Sequence, residues 1–151
     1  MNERQQLCTF YLGDLLCGID VCHVQEILPP QPLTPVPLAG HFVRGLINLR
    51  GQIVTAVDLR AVLHLADSTP VARSVNLIVR YGAERVSFLV DRLGEVLDVD
   101  VDRLETLPEN ADQAAAELIL GGYKLADRLL LILETDRIVE HVSSLHETTL
   151  D

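Results

Sequence analysis

The chain has 151 residues, 12 basic against 22 acidic side chains, a formal charge of -10, and 48% hydrophobic residues. That length supports one ordinary domain or two small subdomains sharing a core, and the apolar content is too high for a disordered chain. The acidic balance argues against an electrostatic nucleic-acid binder and against anionic membrane surfaces, because both interactions begin with a basic patch.

From the N-terminus, residues 1–6 are polar, so no leader peptide is expected, and no run of about 18 apolar residues exists to span a membrane. Residues 6–12 and 15–19 read as a hairpin around Gly13-Asp14. Asp20 is positioned to cap a short helix through residue 28, with Val21, Val24, Ile27 and Leu28 on one face. Pro29, Pro30, Pro32, Pro35 and Pro37 then make a stiff, extended stretch. It reads as a connector between strands, with a polyproline ligand for another module as the alternative. Residues 44–51 follow as a strand and turn, and residues 52–57 as a buried strand.

Asp58 is placed to cap a helix over residues 59–65. Residues 76–81 and 84–90 form a second hairpin around Gly82-Ala83. Asp98, Asp100 and Asp102 alternate as in a calcium loop, but the required Gly and final Glu are out of register, so they read as an acidic loop. Residues 111–118 form a second connector, briefly helical, and residues 128–134 a buried strand. Asp136 then caps a C-terminal helix carrying Ile138, Val139, Val142 and Leu145.

The two hairpins repeat at an offset of 69: Gly13 matches Gly82, Val21 matches Val90, and Glu26-Ile27-Leu28 match Glu95-Val96-Leu97. Later each half supplies an apolar strand followed by Asp58 or Asp136, at a changed offset. Two similar β subdomains are the simplest account. Charge is divided unevenly. Residues 1–60 hold five acidic and four basic side chains, while residues 95–117 are densely acidic with Arg103 as their only base.

The motifs of hydrolases, P-loops, dinucleotide sites and zincins are missing, and His23, His41, His64, His141 and His146 are scattered. Cys8, Cys17 and Cys22 fit no zinc spacing and read as buried or half-buried small hydrophobes in a reducing compartment. No catalytic residue, metal ligand or cofactor is expected. What stands out is polar side chains inside apolar sequence: Val24-Gln25-Glu26-Ile27, then Arg44 through Gly51, then Val57-Asp58-Leu59-Arg60. Gly45 and Gly51 suit turns or bulges. Arg50 reads equally as a surface ion pair or as an interface anchor.

At these residues the chain resembles the CheW-like domain family of chemotaxis coupling proteins. Further matches are Phe10-Tyr11-Leu12-Gly13, Cys17-Gly18-Ile19-Asp20, Val36-Pro37, Ile53-Val54, Val90-Asp91 and Asp127-Arg128 with residues 129–133. The resemblance implies a mainly β fold: two SH3-like five-stranded β-barrel subdomains sharing a hydrophobic core, with short helices including a C-terminal one, as one CheW-like domain over residues 1–151. It implies a non-catalytic cytoplasmic adaptor that links the cytoplasmic tips of methyl-accepting chemoreceptors to the regulatory domain of a CheA-type histidine kinase. Such an adaptor is recruited to membrane arrays by its partners. Carried over by residue, Glu26 and Arg50 are the pair at the receptor groove, beside Val24 and Asn48. Gly45, Gly51, Asp58 and Arg60 support that groove.

Some residues depart from the pattern. Cys17 replaces a common aromatic, Thr55 a common Pro, and Pro29-Pro30 stiffens a usually looser stretch. The loop at residues 66–73 is short, and Gly121-Gly122-Tyr123 varies a single-Gly pattern. Together they suggest a paralogue serving a non-flagellar array. The rivals are a scaffold that caps or competes without activating the kinase, and a metal-binding or enzymatic β protein.

Overall fold

The computed structural model describes residues 3–65, 73–110 and 112–150. The short loop expected at residues 66–73 falls outside them except for Arg73, as does Ala111 at the head of the second connector. Both expected hairpins form. Strands β1 (Arg4–Leu12) and β2 (Leu15–Asp20) turn at Gly13, whose φ is 64°, and β6 (Val75–Tyr81) and β7 (Glu84–Val90) turn at Gly82, φ 60°.

After β2 the sequence reading needs correction. The Asp20 carboxylate accepts from the Cys22 N–H at 2.9 Å, as a cap should, but the helix it starts is a single 3-10 turn, Val21–His23. Residues Val24–Leu28 extend instead as β3. Two causes act together: Pro29 disfavours helical backbone at Leu28, and β3 gains a ladder against β6, broken by one bulge between Val24 and Glu26. Cys22, expected to be shielded, is exposed on that turn, whereas Cys8 and Cys17 are buried.

The proline stretch crosses to β4 (Val43–Leu49), which pairs with β5 (Gln52–Asp58); helix α1 is only Leu59–Val62, capped by Asp58 through the Arg60 N–H at 3.0 Å. Strand β8 (Arg92–Asp100) takes in Asp98 and Asp100, so the expected acidic loop is the end of a strand and the 3-10 turn Val101–Arg103. Helix α2 (Gln113–Leu118), β9 (Ile119–Lys124), β10 (Leu129–Leu133) and α3 (Thr135–Leu150) complete the chain. The Ile138 N–H bonds the Glu134 carbonyl at 3.0 Å. Glu134 is therefore the cap and Asp136 lies inside the first turn, two positions deeper than expected.

The strands form two five-stranded sheets, ordered β8-β1-β2-β10-β9 and β3-β6-β7-β5-β4. The mainly β class is thus observed, and the repeat proves stricter than sequence matching suggested. In β1–β2, Leu7 faces Asp20; in β6–β7, Asn76 faces Leu89, so every pair shifts by 69. The third strands are exchanged: β3 pairs with β6 of the second half and β8 with β1 of the first. Even the bulge repeats, with Phe10 opposite Leu93 and Val24 opposite Val79.

Beyond the third strands the offset becomes 76: Asn48 faces Ile53 where Lys124 faces Leu129. The longer connector between third and fourth strands of the second half carries the Val101–Arg103 turn and α2, which the shorter connector of the first half lacks. In each half a single two-bond bridge ties the third-to-fourth connector to the fourth strand, Thr34 to Leu46 and Glu105 to Gly122. A glycine lies beside each bridge. A Cβ on Gly45 would sit 2.7 Å from the Thr34 carbonyl oxygen, and one on Gly121 would sit 2.3 Å from that of Glu105.

Each sheet encloses its own apolar cluster. Leu7, Leu16, Val99, Tyr123, Leu130 and Ile132 come from all five strands of the first sheet, and Leu28, Ile47, Val54, Ile78 and Leu89 from all five of the second. A sheet whose edge strands feed one filling is rolled into a barrel. Between the barrels lies the main core, where Phe10, Cys17, Ile19, Val57, Leu77 and Phe88 meet Ile138, Val139 and Val142 of α3. The strands read as wholly buried are so only in part: Ile53 is 75% and Leu129 57% exposed, because both begin strands at hairpin tips.

Candidate partner-binding surface

Glu26, Asn48 and Arg50 assemble at one end of the second sheet. Glu26 lies on β3 opposite Ile78, and its side chain is three-quarters buried. Arg50 and Gly51 form the two-residue loop joining β4 to β5, with φ of 51° and 86°. That is the geometry of a type I′ hairpin, where both loop residues need positive φ. Gly51 supplies it without strain, whereas Arg50 holds a conformation that side chains with a Cβ avoid. Asn48 steadies the loop, its Oδ1 accepting from the Gly51 N–H at 2.8 Å.

From this loop the Arg50 guanidinium forks onto the Glu26 carboxylate. Nη1 donates to Oε2 at 3.3 Å and Nη2 donates to Oε1. Hydrogen bonding and charge from Glu26 raise the Arg50 pKa, so the guanidinium stays ionised at any physiological pH. The Arg50 side chain is 66% exposed. The loop thus presents an open charge held in one place at the end of the sheet.

Val24 belongs to the same strand, but its half-buried side chain packs into the main core, opposite Val79. Gly45 lies inside β4 at the Thr34 bridge and fixes how closely the proline connector approaches. Asp58 and Arg60 are not beside the Glu26–Arg50 pair. Asp58 accepts from Arg44 at 3.2 and 3.1 Å and so ties β4 to the start of α1. Arg60, 5% exposed, pairs with Asp91, which also accepts the Gly13 N–H. These groups join α1, the β1–β2 turn and the β7–β8 junction.

Sequence reading overlooked the apolar part of this surface. Ile53 is the register partner of Asn48, so the two share a face, and it is 75% exposed. The available signal was the period of two counted from the Arg50-Gly51 turn, which turns Ile53 outward with Asn48. Among the described residues, no group of three or more His, Cys, Asp or Glu side chains is placed to hold a metal. No helix among them is long and apolar enough to cross a membrane.

A family model for the CheW-like domain matches residues 6–143. The chain belongs to the CheW-like domain family. This CheW-like domain is 29% identical to the chemotaxis protein CheW of Treponema pallidum over 141 residues, covering 91% of this chain and 83% of that one. It is also 29% identical to CheW of Thermotoga maritima over 138 residues, with 91% and 89% covered. Its fold superposes on the crystal structure of the scaffolding protein TtCheW from Thermoanaerobacter tengcongensis with a TM-score of 0.81 at 25% identity, covering 91% of this chain and 94% of that one. The expected chemotaxis scaffold class is therefore the one to which this CheW-like domain belongs.

Proposed function

We propose that the protein is a non-catalytic adaptor that couples the cytoplasmic tips of chemoreceptors to a CheA-type histidine kinase. The observation that carries this reading is the Arg50–Glu26 fork, presented on a positive-φ loop residue beside the outward-facing Ile53. A receptor-tip helix laid on this surface places apolar residues against Ile53 and a polar residue against Arg50, in the manner of helix recognition. The charge pair sets orientation and partner choice more than total affinity.

Asn48 and Gly51 keep the loop in one geometry, so ordering costs on binding are small. Control of the kinase then needs only linkage: receptor states that bind the adaptor differently shift the kinase equilibrium by that difference. The adaptor reaches the membrane through its partners. Asp58 and Arg60 serve the surface indirectly, Asp58 by holding β4 through Arg44.

Replacing Arg50 by Glu tests the reading. The expected result is about tenfold weaker capture of receptor-tip fragments and lost kinase activation in a reconstituted array, with the folded spectrum unchanged. Capture and activation equal to wild type would overturn it.

A further inference from the structure

Helix α1 ends in a turn fixed on both sides of His64. The His64 N–H donates to the Ala61 carbonyl at 3.2 Å, the Leu65 N–H reaches back to that of Arg60 at 2.7 Å, and His64 has a φ of 58°. These are the paired bonds of a Schellman motif, whose left-handed position glycine ordinarily fills. Histidine holds it here, so an imidazole is carried where a β-carbon is disfavoured. A second imidazole comes from the proline connector. His41 stands edge-on to Phe42, ring centres 5.7 Å apart, and Phe42 is anchored in the main core. The Phe42 carbonyl accepts from the N–H of Asp58, the α1 cap, at 2.8 Å, so connector and helix are tied together one residue from His41. The two imidazole centres consequently lie 6.5 Å apart, with ring planes at 35°. Both side chains are exposed, and among the described residues neither makes a hydrogen bond or ion pair.

We propose that His41 and His64 together chelate a late first-row divalent metal ion, Zn(II), Ni(II) or Cu(II), with water completing its coordination. Metal–imidazole bonds of about 2.0–2.1 Å place the centres of two rings that share one ion about 5–6 Å apart. The observed separation is slightly wider. It closes by rotation of two side chains that face solvent, while the backbone bonds around each histidine stay in place. Neutral imidazole suits these ions and not Mg(II) or Ca(II), which take oxygen ligands. The formal charge of -10 adds a general attraction for cations. Two protein ligands, rather than the three or four of a catalytic or structural centre, make an open and reversible site. When loaded, it staples the connector between β3 and β4 to the end of α1. Neither Glu26 nor Arg50 takes part, so this binding is separate from receptor engagement.

Titration of the chelator-treated, 15N-labelled protein with zinc chloride near neutral pH tests it, with magnesium chloride as comparator. Zinc is expected to give saturable amide shifts at His41, Phe42, His64 and Leu65 and to raise the unfolding midpoint; magnesium is expected to do neither. His64→Gly, which suits the left-handed backbone and so keeps the fold, is expected to weaken zinc binding at these residues about tenfold. His41→Gln is expected to do the same. Both changes together should add little to either alone, because a chelate needs both rings. No saturable shift at these four residues, shifts confined to the exposed Cys22 or to other histidines, or unchanged affinity in His64→Gly would overturn the proposal. So would magnesium shifts equal to those of zinc.

Discussion

The Arg60 guanidinium lies against the Asp91 carboxylate, with Nε donating to Oδ1 at 2.9 Å and to Oδ2 at 3.1 Å, and both side chains almost wholly out of solvent. The pair joins α1 to the junction of β7 and β8, and the Gly13 N–H closes on the same carboxylate. Two charges so far from water hold each other; either alone is a liability.

Asp91→Ala should therefore cost about 3–5 kcal/mol, because it strands a buried guanidinium. Replacing both partners together, Arg60→Met with Asp91→Leu, should cost much less. Urea unfolding of the three proteins checks this. A double variant as unstable as Asp91→Ala would mean that the pair does more than neutralise itself.

The two bridge glycines make a second prediction. A Cβ at Gly45 or Gly121 collides with a backbone carbonyl that cannot swing away, since that carbonyl is itself bonded in the bridge. Ala at either position should cost about 1–3 kcal/mol. Gly51 faces open space and only its φ of 86° resists a side chain, so Ala there should cost about 1 kcal/mol. Thermal unfolding of the three variants gives the order directly.

Cys17 supplies a pH dependence. Burial pushes its thiol up to about 12, while an unfolded thiol titrates near 8.5. Between those values the unfolded chain has released a proton that the folded chain retains. The contribution is thus fully present below about pH 8.5 and is lost on going up, by about 1.4 kcal/mol per pH unit. Cys17→Val should remove that part of the alkaline slope. In the native protein a thiol reagent should label exposed Cys22 first and Cys17 only on unfolding.

Helix α3 is held by its apolar face, with Ile138 and Val139 almost fully buried in the main core. Ile138→Ala should cost about 2–5 kcal/mol. Tyr81 and Ser143 add hydrogen bonds between the β6–β7 hairpin and the helix, at 2.7 Å to Glu140 and 2.9 Å to Glu84. These are exposed, and Tyr81→Phe should leave the midpoint nearly unmoved. A comparison of denaturation midpoints separates the two contributions.

Both hairpins were legible in the sequence because a glycine with positive φ punctuates each and the flanking residues keep one period. The offset between Glu26 and Glu95 likewise announced the duplication. The exchange of third strands was not legible. Pairing of β3 with β6 depends on residues far apart in sequence, and Val24, Ile27 and Leu28 fit a helical face as well as a strand. The same ambiguity hid the surface. Reading residues 52–57 as a buried run concealed Ile53, whose outward turn follows from the hairpin register with Asn48. Glu26 and Arg50 were found through family resemblance. Their meeting rests on the side-chain fork across β3 and the β4–β5 loop, which no local pattern encodes.

The exchanged strands have a consequence for how the molecule comes apart. A half of the chain on its own, residues 1–65 for instance, holds a third strand whose ladder partner, β6, lies in the other half, and a first strand lacking β8. Neither piece closes its barrel, so unfolding is expected to be all-or-none across both barrels, with coincident transitions by different probes. Two separate half-length chains could satisfy the same ladders only by trading strands as a symmetric dimer. The present chain closes both ladders within one polypeptide, and its two copies differ at the loop between fourth and fifth strands, where Arg50 of the first has Ala126 as its counterpart at the offset of 76.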